Sequence, residues 1–581
     1  MNRKYFPSRF SIGTLFVIIL ITFSCANPVA PIGGPKDTTP PKVVETSPKT
    51  YSVNFTEKEF AITFDEFIET KSLSQKLLVS PPLNEKPETK LKGHSLIVEF
   101  TDTLKENTTY NFNFGDAIVD LHEGNPIENL NYTFSTGDVL DSLKITGQVL
   151  HAANMKAAEG ILVMLYRSFE DSIPYKERPY YIASTDKNGY FTLPHLRSES
   201  YKIFAIKDAN SNLLFDIPSE KIAFSDTLIF PKEISIIKAD TIITNDTIDI
   251  EADSLHVIKK DSVFLNKESI TLFLFTEKDT LLRINTNQLF ENKYFTASFS
   301  QNVPELQFNA LKPVMDSTWK IEEWNTHHDS VTVWLKNFTT DSLVVEVINC
   351  DTIIDTLTFT YFEKEEPKRR KKEKEEEKAE RITLKAELTD KAQLLEQPLR
   401  IICNTPIEDI FIDSLTLQTP HDTIKTAFKK TGIRNFEVDY KWEEYATYSV
   451  IIPDSSITDI YGLTQDSVTI IFNTKGYDSY GTMIITITLE DVDSPQIIQI
   501  LNSDEKEIIY ENTIDKTTTL TVPFMLPKKY KLRAISDDNR NGKWDSGIYS
   551  LHLQPEAITY LPNMVEILGN WEIEIDWKIK P

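Results

Sequence analysis

One stretch of this chain occurs twice without a gap, so any fold it adopts must place both copies in equivalent settings. Tyr201-Lys202-Ile203-Phe204-Ala205-Ile206-Lys207-Asp208-Ala209-Asn210-Ser211-Asn212 runs on to Asp216, and Tyr530-Lys531-Leu532-Arg533-Ala534-Ile535-Ser536-Asp537-Asp538-Asn539-Arg540-Asn541 runs on to Asp545. Both read Tyr-Lys-apolar-x-Ala-Ile-x-Asp-x-Asn-x-Asn-x-x-x-Asp, a strand feeding a loop with oxygen-bearing side chains at every second residue. The duplication extends upstream. Ile62-Thr63-Phe64 corresponds to Ile401-Ile402-Cys403, Thr109-Tyr110 to Thr447-Tyr448, Asp120 to Asp459, and Phe134-Ser135-Thr136-Gly137 to Phe472-Asn473-Thr474-Lys475-Gly476 with one residue added. Two modules, termed A and B below, therefore occur twice in the same order.

The segments between these landmarks are short, β-branched and bounded by Asp, Asn, Pro or Gly, as in Phe60 to Phe64, Ser95 to Phe100 and Ser342 to Val347. Helix signals are almost absent, and the spacing predicts an all-β, multidomain string of sandwiches. The exception is Glu363 to Arg381, where Glu, Lys and Arg crowd together without apolar periodicity and suit a solvated linker. At roughly 100–200 residues per domain, the chain has room for about three to five domains. Hydrophobic residues at 40% and aromatics at 11% supply packed cores. A net charge of −25 with no basic face argues against nucleic acid or anionic lipid as a partner.

The repeated loops carry the most chemistry. Asp537, Asn539, Asn541, Gly542 and Asp545 follow the opening positions of a calcium loop, with the glycine at the sharp turn. Ile548 stands where the bidentate Glu is expected, and the other copy, Asp208, Asn210, Asn212 and Asp216, has Leu213 in place of the glycine. Few carboxylates imply weak affinity, on the order of 0.1 to 1 mM. The competing reading is a polar turn in which Asp and Asn cap their own backbone. His327-His328-Asp329 is the densest other cluster, but neighbours on a strand point to opposite faces, which favours a solvated turn. Trp324, Trp334 and Trp442 could present a sugar-stacking face, although sandwich cores use such residues more often. There is no Gly-x-Ser-x-Gly, His-Glu-x-x-His, phosphate loop or Cys-x-x-Cys, and no catalytic residue is nominated.

Arg3, Lys4 and Arg9 followed by the 12-residue apolar run Ile12 to Phe23 and then Ser24-Cys25 resemble a bacterial lipoprotein signal, which would make Cys25 the lipidated first residue. Thr22 and Phe23 depart from the usual pattern, and an ordinary cleaved signal is the alternative. The run falls short of the roughly 20 residues a membrane span needs. Residues 25–43 read as a Pro/Gly-rich tether. Of the other cysteines, Cys350 and Cys403 could pair in an oxidising envelope, or Cys403 could be a buried free thiol, since its repeat partner is Phe64.

Pro40-Pro41, Ser47-Pro48, the Leu104 to Tyr110 stretch and the closing Phe-Ser-Thr-Gly resemble the SbsA-type bacterial Ig-like domain, which implies a β-sandwich without chemistry of its own. Asp186-Lys187-Asn188-Gly189-Tyr190-Phe191-Thr192-Leu193, then Leu196 and Tyr201, resemble a carboxypeptidase regulatory-like or transthyretin-like module; in the later copy Asn502-Ser503-Asp504 replaces a clean turn. Similar strings occur in envelope lipoproteins of Bacteroidetes-type bacteria. The expected layout is a signal peptide at 1–24, tether at 25–43, Ig-like domain at 44–138, regulatory-like sandwich at 139–220 and unassigned β region at 221–362. A charged linker at 363–381, a second Ig-like domain at 382–476 and a second transthyretin-like sandwich at 477–581 follow. Asp-Ser/Thr-apolar triplets, among them Asp102-Thr103-Leu104, Asp141-Ser142-Leu143 and Asp226-Thr227-Leu228, resemble O-glycosylation acceptors of such proteins, or are turns entering strands.

The expected function is a non-enzymatic scaffold or binding surface for a protein or glycan, anchored to the outer membrane, periplasm-facing and stiffened by calcium. Two alternatives are an accessory enzyme with its site in residues 221–362 and a structural subunit of an outer-membrane assembly.

Overall fold

The computed structural model describes residues 37–232, 269–360 and 380–580, apart from 279–280, 291–292, 304, 337, 339, 341 and 491–492. Cys25, the signal and nearly all of the charged linker lie outside the described residues. The protein is built from β-strands, with two four-residue helices, Leu73–Lys76 and Ile173–Lys176, among the described residues. No described helix is long and apolar enough to cross a membrane.

The two A modules share one plan. In the earlier copy Val43–Ser47, Glu59–Phe64, Ser95–Glu99 and Glu88–Lys92 form one sheet, in that order, facing Leu78–Ser80, Thr109–Asn113 and Asn131–Ser135. The later copy has Leu384–Ala386, Leu399–Cys403, Asn435–Val438 and Phe428–Lys430 facing a second sheet that contains Val468–Thr474, Thr447–Ile452 and Thr416–Gln418. Alternation along Glu59–Phe64 puts Phe60, Ile62 and Phe64 inside, and Leu399, Ile401 and Cys403 do the same work in the later core.

The repeated Tyr and Thr of module A tie its corners. Tyr110 Oη accepts from Lys105 N at 2.8 Å and Tyr448 Oη from Glu443 N at 3.1 Å. Thr136 Oγ1 donates to Lys105 O at 2.7 Å, as Thr474 Oγ1 does to Glu443 O at 2.6 Å. The repeated acids are buried braces. Asp120 accepts from the backbone N–H groups of Glu123, Gly124 and Asn125, and Asp459 from those of Tyr461 and Leu463 and from the Thr405 hydroxyl.

In the earlier B module one sheet runs Tyr181–Ser184, Leu162–Tyr166, Lys202–Lys207, Lys221–Phe224, Ile270–Thr276, Leu143–His151, Tyr190–Leu196. The module thus reaches past residue 220, because Lys221–Phe224 pairs with the repeat strand and Ile270–Thr276 pairs in parallel with Leu143–His151. The later B module keeps this order as two sheets, one of Ile508–Ile514, Gln496–Asn502, Lys529–Ser536 and Ile558–Tyr560, the other of Thr518–Met525, Gly481–Leu489 and Glu572–Ile579. Asp186 to Gly189 forms the expected turn, with Asp186 Oδ1 accepting from the N–H groups of Asn188 and Tyr190 at 2.8 Å each. The strand order shows that its counterpart is the turn at 515–517, not Asn502 to Asp504, which joins a different pair of strands. Tyr201 and Tyr530, which open the repeat, donate to carbonyls four residues back, Arg197 O at 3.2 Å and Leu526 O at 2.9 Å.

Residues 284–360 form a separate sandwich. Ile284–Phe290, Tyr294–Phe299, Ser330–Leu335 and Lys320–Trp324 face Leu306–Lys312, Ser342–Asn349 and Thr352–Thr360 around Phe295, Val333, Leu343 and Val345.

Two substitutions probe this frame. A Cβ at Gly147 would lie 2.6 Å from the Phe191 ring and closer still to the Ile270 carbonyl; Gly147→Ala should therefore cost about 1–3 kcal/mol in urea unfolding by prising Ile270–Thr276 from its neighbour. Burial raises the Asp120 carboxyl, but the backbone N–H groups outweigh it and hold it at about 2. The stability this brace supplies is complete above the usual carboxylate value of about 4 and is lost as pH falls towards about 2. Asp120→Asn should lower the melting midpoint at neutral pH, and the gap to the parent should close in strong acid.

Candidate functional site

Each repeated strand ends in its Asp/Asn loop. In the later loop Asp537 is buried, and its two carboxylate oxygens accept from the backbone N–H groups of Asn541 and Gly542 at 2.9 Å each. Asn539 Nδ2 donates to Asp545 Oδ2 at 2.6 Å, and Asn541 Nδ2 donates to the same oxygen. In the earlier loop Asp208 accepts from Ser211 N at 2.7 Å and Leu213 N at 2.8 Å, while the amides of Asn210 and Asn212 donate to Asp216 at 3.1 and 2.8 Å. All eight nominated residues are thus gathered into two small polar rings. The residues that could hold a cation are these four per loop, and both asparagine amides would have to flip to turn oxygen towards it. Among the described residues no three His, Cys, Asp or Glu side chains come together as a metal-holding group.

A glutamate missing from the sequence reading braces each loop. Glu220 Oε1 accepts from Ala209 N at 3.0 Å and its Oε2 from Asp216 N at 3.1 Å. Glu556 does the same with Asp538 N at 2.9 Å and Asp545 N at 2.8 Å. Both glutamates are buried, and burial raises the Glu556 carboxyl against the pull of those N–H groups. Their equivalence is hidden because Glu220 follows Asp216 by four residues whereas Glu556 follows Asp545 by eleven, so seven residues are added in the later copy. Gly542 has φ +73°, and Leu213, its counterpart, has φ +65°. A leucine is strained there, but its side chain packs on the apolar cluster around Phe204 and Phe224.

The seven added residues dock on the earlier B module. Tyr549 is 2% exposed, packs edge-on to Phe204 with ring centroids 5.2 Å apart, and donates from Oη to Asp171 O at 2.7 Å. Tyr549 N donates to Glu277 Oε1 at 2.6 Å. Met155 of the earlier module packs on Ile497, Ile535 and Ile558 of the later one, and Lys156 pairs with Glu505 at 3.2 Å. Other junctions are as specific. Arg434 of the later A module lies 2.9 Å from Glu323 of the 284–360 sandwich, with its guanidinium 5.6 Å from the Trp334 ring centre. Tyr480 Oη accepts from Leu395 N at 3.3 Å between the later A and B modules, and Ser80 Oγ accepts from Ile182 N at 3.0 Å between the earlier ones.

Cys350 and Cys403 do not pair. Cys350 is exposed in a turn, while Cys403 is buried in the later A core, where burial pushes its thiol up to about 12. His327 to Asp329 lies in an exposed turn held by Asn325, whose Nδ2 donates to Asp329 at 2.7 Å. Trp442 is a core residue, and Trp334 belongs to the Arg434 junction. A depression of about 400 Å³ on the 284–360 sandwich holds Asp316 and Glu322, but Asp316 accepts from Thr318 and Glu322 from Lys320 and Trp324. The three hydroxyl residues Thr103, Ser142 and Thr227 are exposed, and their Asp neighbours are engaged: Asp102 accepts from Asn84 N, Asp141 from the Thr109 hydroxyl and Asp226 from Gln554 Nε2.

Residues 37–136, the earlier A module, match the bacterial Ig-like domain family. No curated protein matches the chain. Among solved structures, the N-terminal part of the bacterial S-layer protein SbsC is 13% identical with a TM-score of 0.14, covering 32% of this chain and 40% of that one. Native alpha-2-macroglobulin from Escherichia coli, spanning domains MG0-NIE-MG1, is 11% identical with a TM-score of 0.16, covering 32% and 72%. BcpA, the major pilin subunit of Bacillus cereus, is 8% identical with a TM-score of 0.14, covering 75% and 99%. The chain spans less than half of the first of these.

Glu556→Gln leaves one acceptor oxygen for two backbone N–H groups. It should destabilise the protein by about 1–2 kcal/mol, read as a lower urea midpoint with an unchanged slope.

Proposed function

We propose that this chain is a non-enzymatic envelope protein, held to the outer membrane through a lipid on Cys25, whose modules form a scaffold presenting a surface to a protein or glycan partner. The observation that carries this reading is the way the modules are joined. Side chains such as Tyr549, Arg434 and Ser80 are committed to other modules, which suits a body that must hold a fixed outline. The bacterial Ig-like domain at 37–136 fits the same role, since such a sandwich brings geometry rather than chemistry. In this reading the chain faces the periplasm, and calcium is the ion its Asp/Asn loops take, weakly and with the later loop favoured by Gly542.

Two measurements test it. Cys25→Ser should move the protein from the membrane fraction of expressing cells to the soluble fraction; unchanged membrane association would remove the lipid anchor. Thermal unfolding of the chain from Ala26 should show a midpoint that climbs as calcium is raised through the millimolar range. The climb should vanish in a variant carrying Asp537→Ala and Asp545→Ala, and a flat parent would reduce the loops to hydrogen-bonded turns.

A further inference from the structure

The seven residues added to the later loop reach the earlier B module at a point with unusual charge geometry. His552 lies between two carboxylates of that module, its Nδ1 3.2 Å from Asp226 Oδ1 and its Nε2 3.2 Å from Asp171 Oδ2. A neutral imidazole carries one N–H, so one ring nitrogen would turn a lone pair towards a carboxylate; only the imidazolium donates to both. Three residues before it, Tyr549 fills an aromatic socket of Phe204, Phe224 and Tyr175. Gln554, two residues after it, donates to Phe224 O at 3.3 Å.

We propose that residues 546–554 form a pH-sensitive clasp that fastens the later B module to the earlier one while His552 is protonated and lets go as it loses its proton. Other charged groups also meet at the joint. Asp171 is also bound to Lys202 at 2.5 Å, Asp226 also accepts from Gln554 at 3.2 Å, and Glu277 accepts from Tyr549 N. His151, on the strand beside Ile270–Thr276, is held below its usual value by burial and by Lys221 and Lys207. The hydrogen bonds to Asp226 and Asp171 raise His552 above its usual value. The sign follows: a group whose pKa rises on docking stabilises the docked state below its free value, and that support disappears as pH climbs through the docked value. His552 is 43% exposed, so water screens the pair and the clasp is poised rather than locked.

Amide hydrogen exchange on the full chain in detergent, corrected for intrinsic rates and followed from about pH 5.5 to about pH 8.5 across the ordinary histidine range, tests this. Exchange in 546–554 should rise severalfold with pH, while Lys202–Lys207 and Lys529–Ser536 stay protected. His552→Gln should abolish the pH dependence, and Tyr549→Ala should expose the segment at every pH with both strands still protected. A pH-independent segment in the parent, or the parent's pH profile retained in His552→Gln, would overturn the clasp.

Discussion

A β-sheet that is apolar on both faces needs two covers, and the earlier B module supplies one of them whole and the other only in part, through Ile173, Leu213 and Phe215. Ile203 and Ala205 point into the module's core, while Phe204 and Ile206, with Met164, Tyr166, Phe224 and Phe275, form a second apolar layer on the opposite face. Tyr549, from the far end of the sequence, belongs to that layer. Burying an aromatic side chain of this size is worth roughly 1.5–3 kcal/mol, so the later module completes the earlier one rather than merely touching it. The joints through Met155 and Trp544 serve the same need, since Trp544 packs against the clusters on both sides.

The duplicated residues keep the corners of each sandwich in shape. Tyr201 and Tyr530 lock the turn before their strand, Tyr110 and Tyr448 do the equivalent in module A, and the buried acids Asp120 and Asp459 gather backbone N–H groups that have no strand to pair with. Identity between the copies therefore reports places where the backbone leaves the sheet and needs a fixed partner. The differences report what each copy touches. Leu213 accepts left-handed backbone for the sake of an apolar contact, and the later loop takes on seven residues that dock elsewhere.

Much of the architecture was legible because period-2 alternation and turn residues are local signals. The all-β class, the paired modules and the turn at Asp186 to Gly189 follow from them, while for Cys403, at the position of Phe64, they leave open a disulfide with Cys350 or a buried free thiol, and the structure has the latter. What was not legible is non-local. Ile270–Thr276 joins a sheet whose preceding strand ends at Phe224, and no periodicity reveals a partner that distant in sequence. Glu220 and Glu556 were missed because the insertion breaks their register. One available signal went unread: Ile161 to Tyr166 and Ile203 to Ile206 are unbroken apolar runs, which mark a sheet covered on both faces.

The contact between Tyr549 and Asp171 spans 378 residues of sequence. A chain made from its amino terminus therefore builds the sheet with Phe204, Phe224 and Phe275 long before Tyr549, which completes its cover, exists. Until then a greasy, strand-lined surface stands open, the kind of surface that recruits chaperones or a neighbouring nascent chain. Loop closure over such a distance adds little to the equilibrium cost, because that cost grows only with the logarithm of length. The burden falls on biogenesis, and it makes a segment synthesised much later the guardian of one face of the earlier B module.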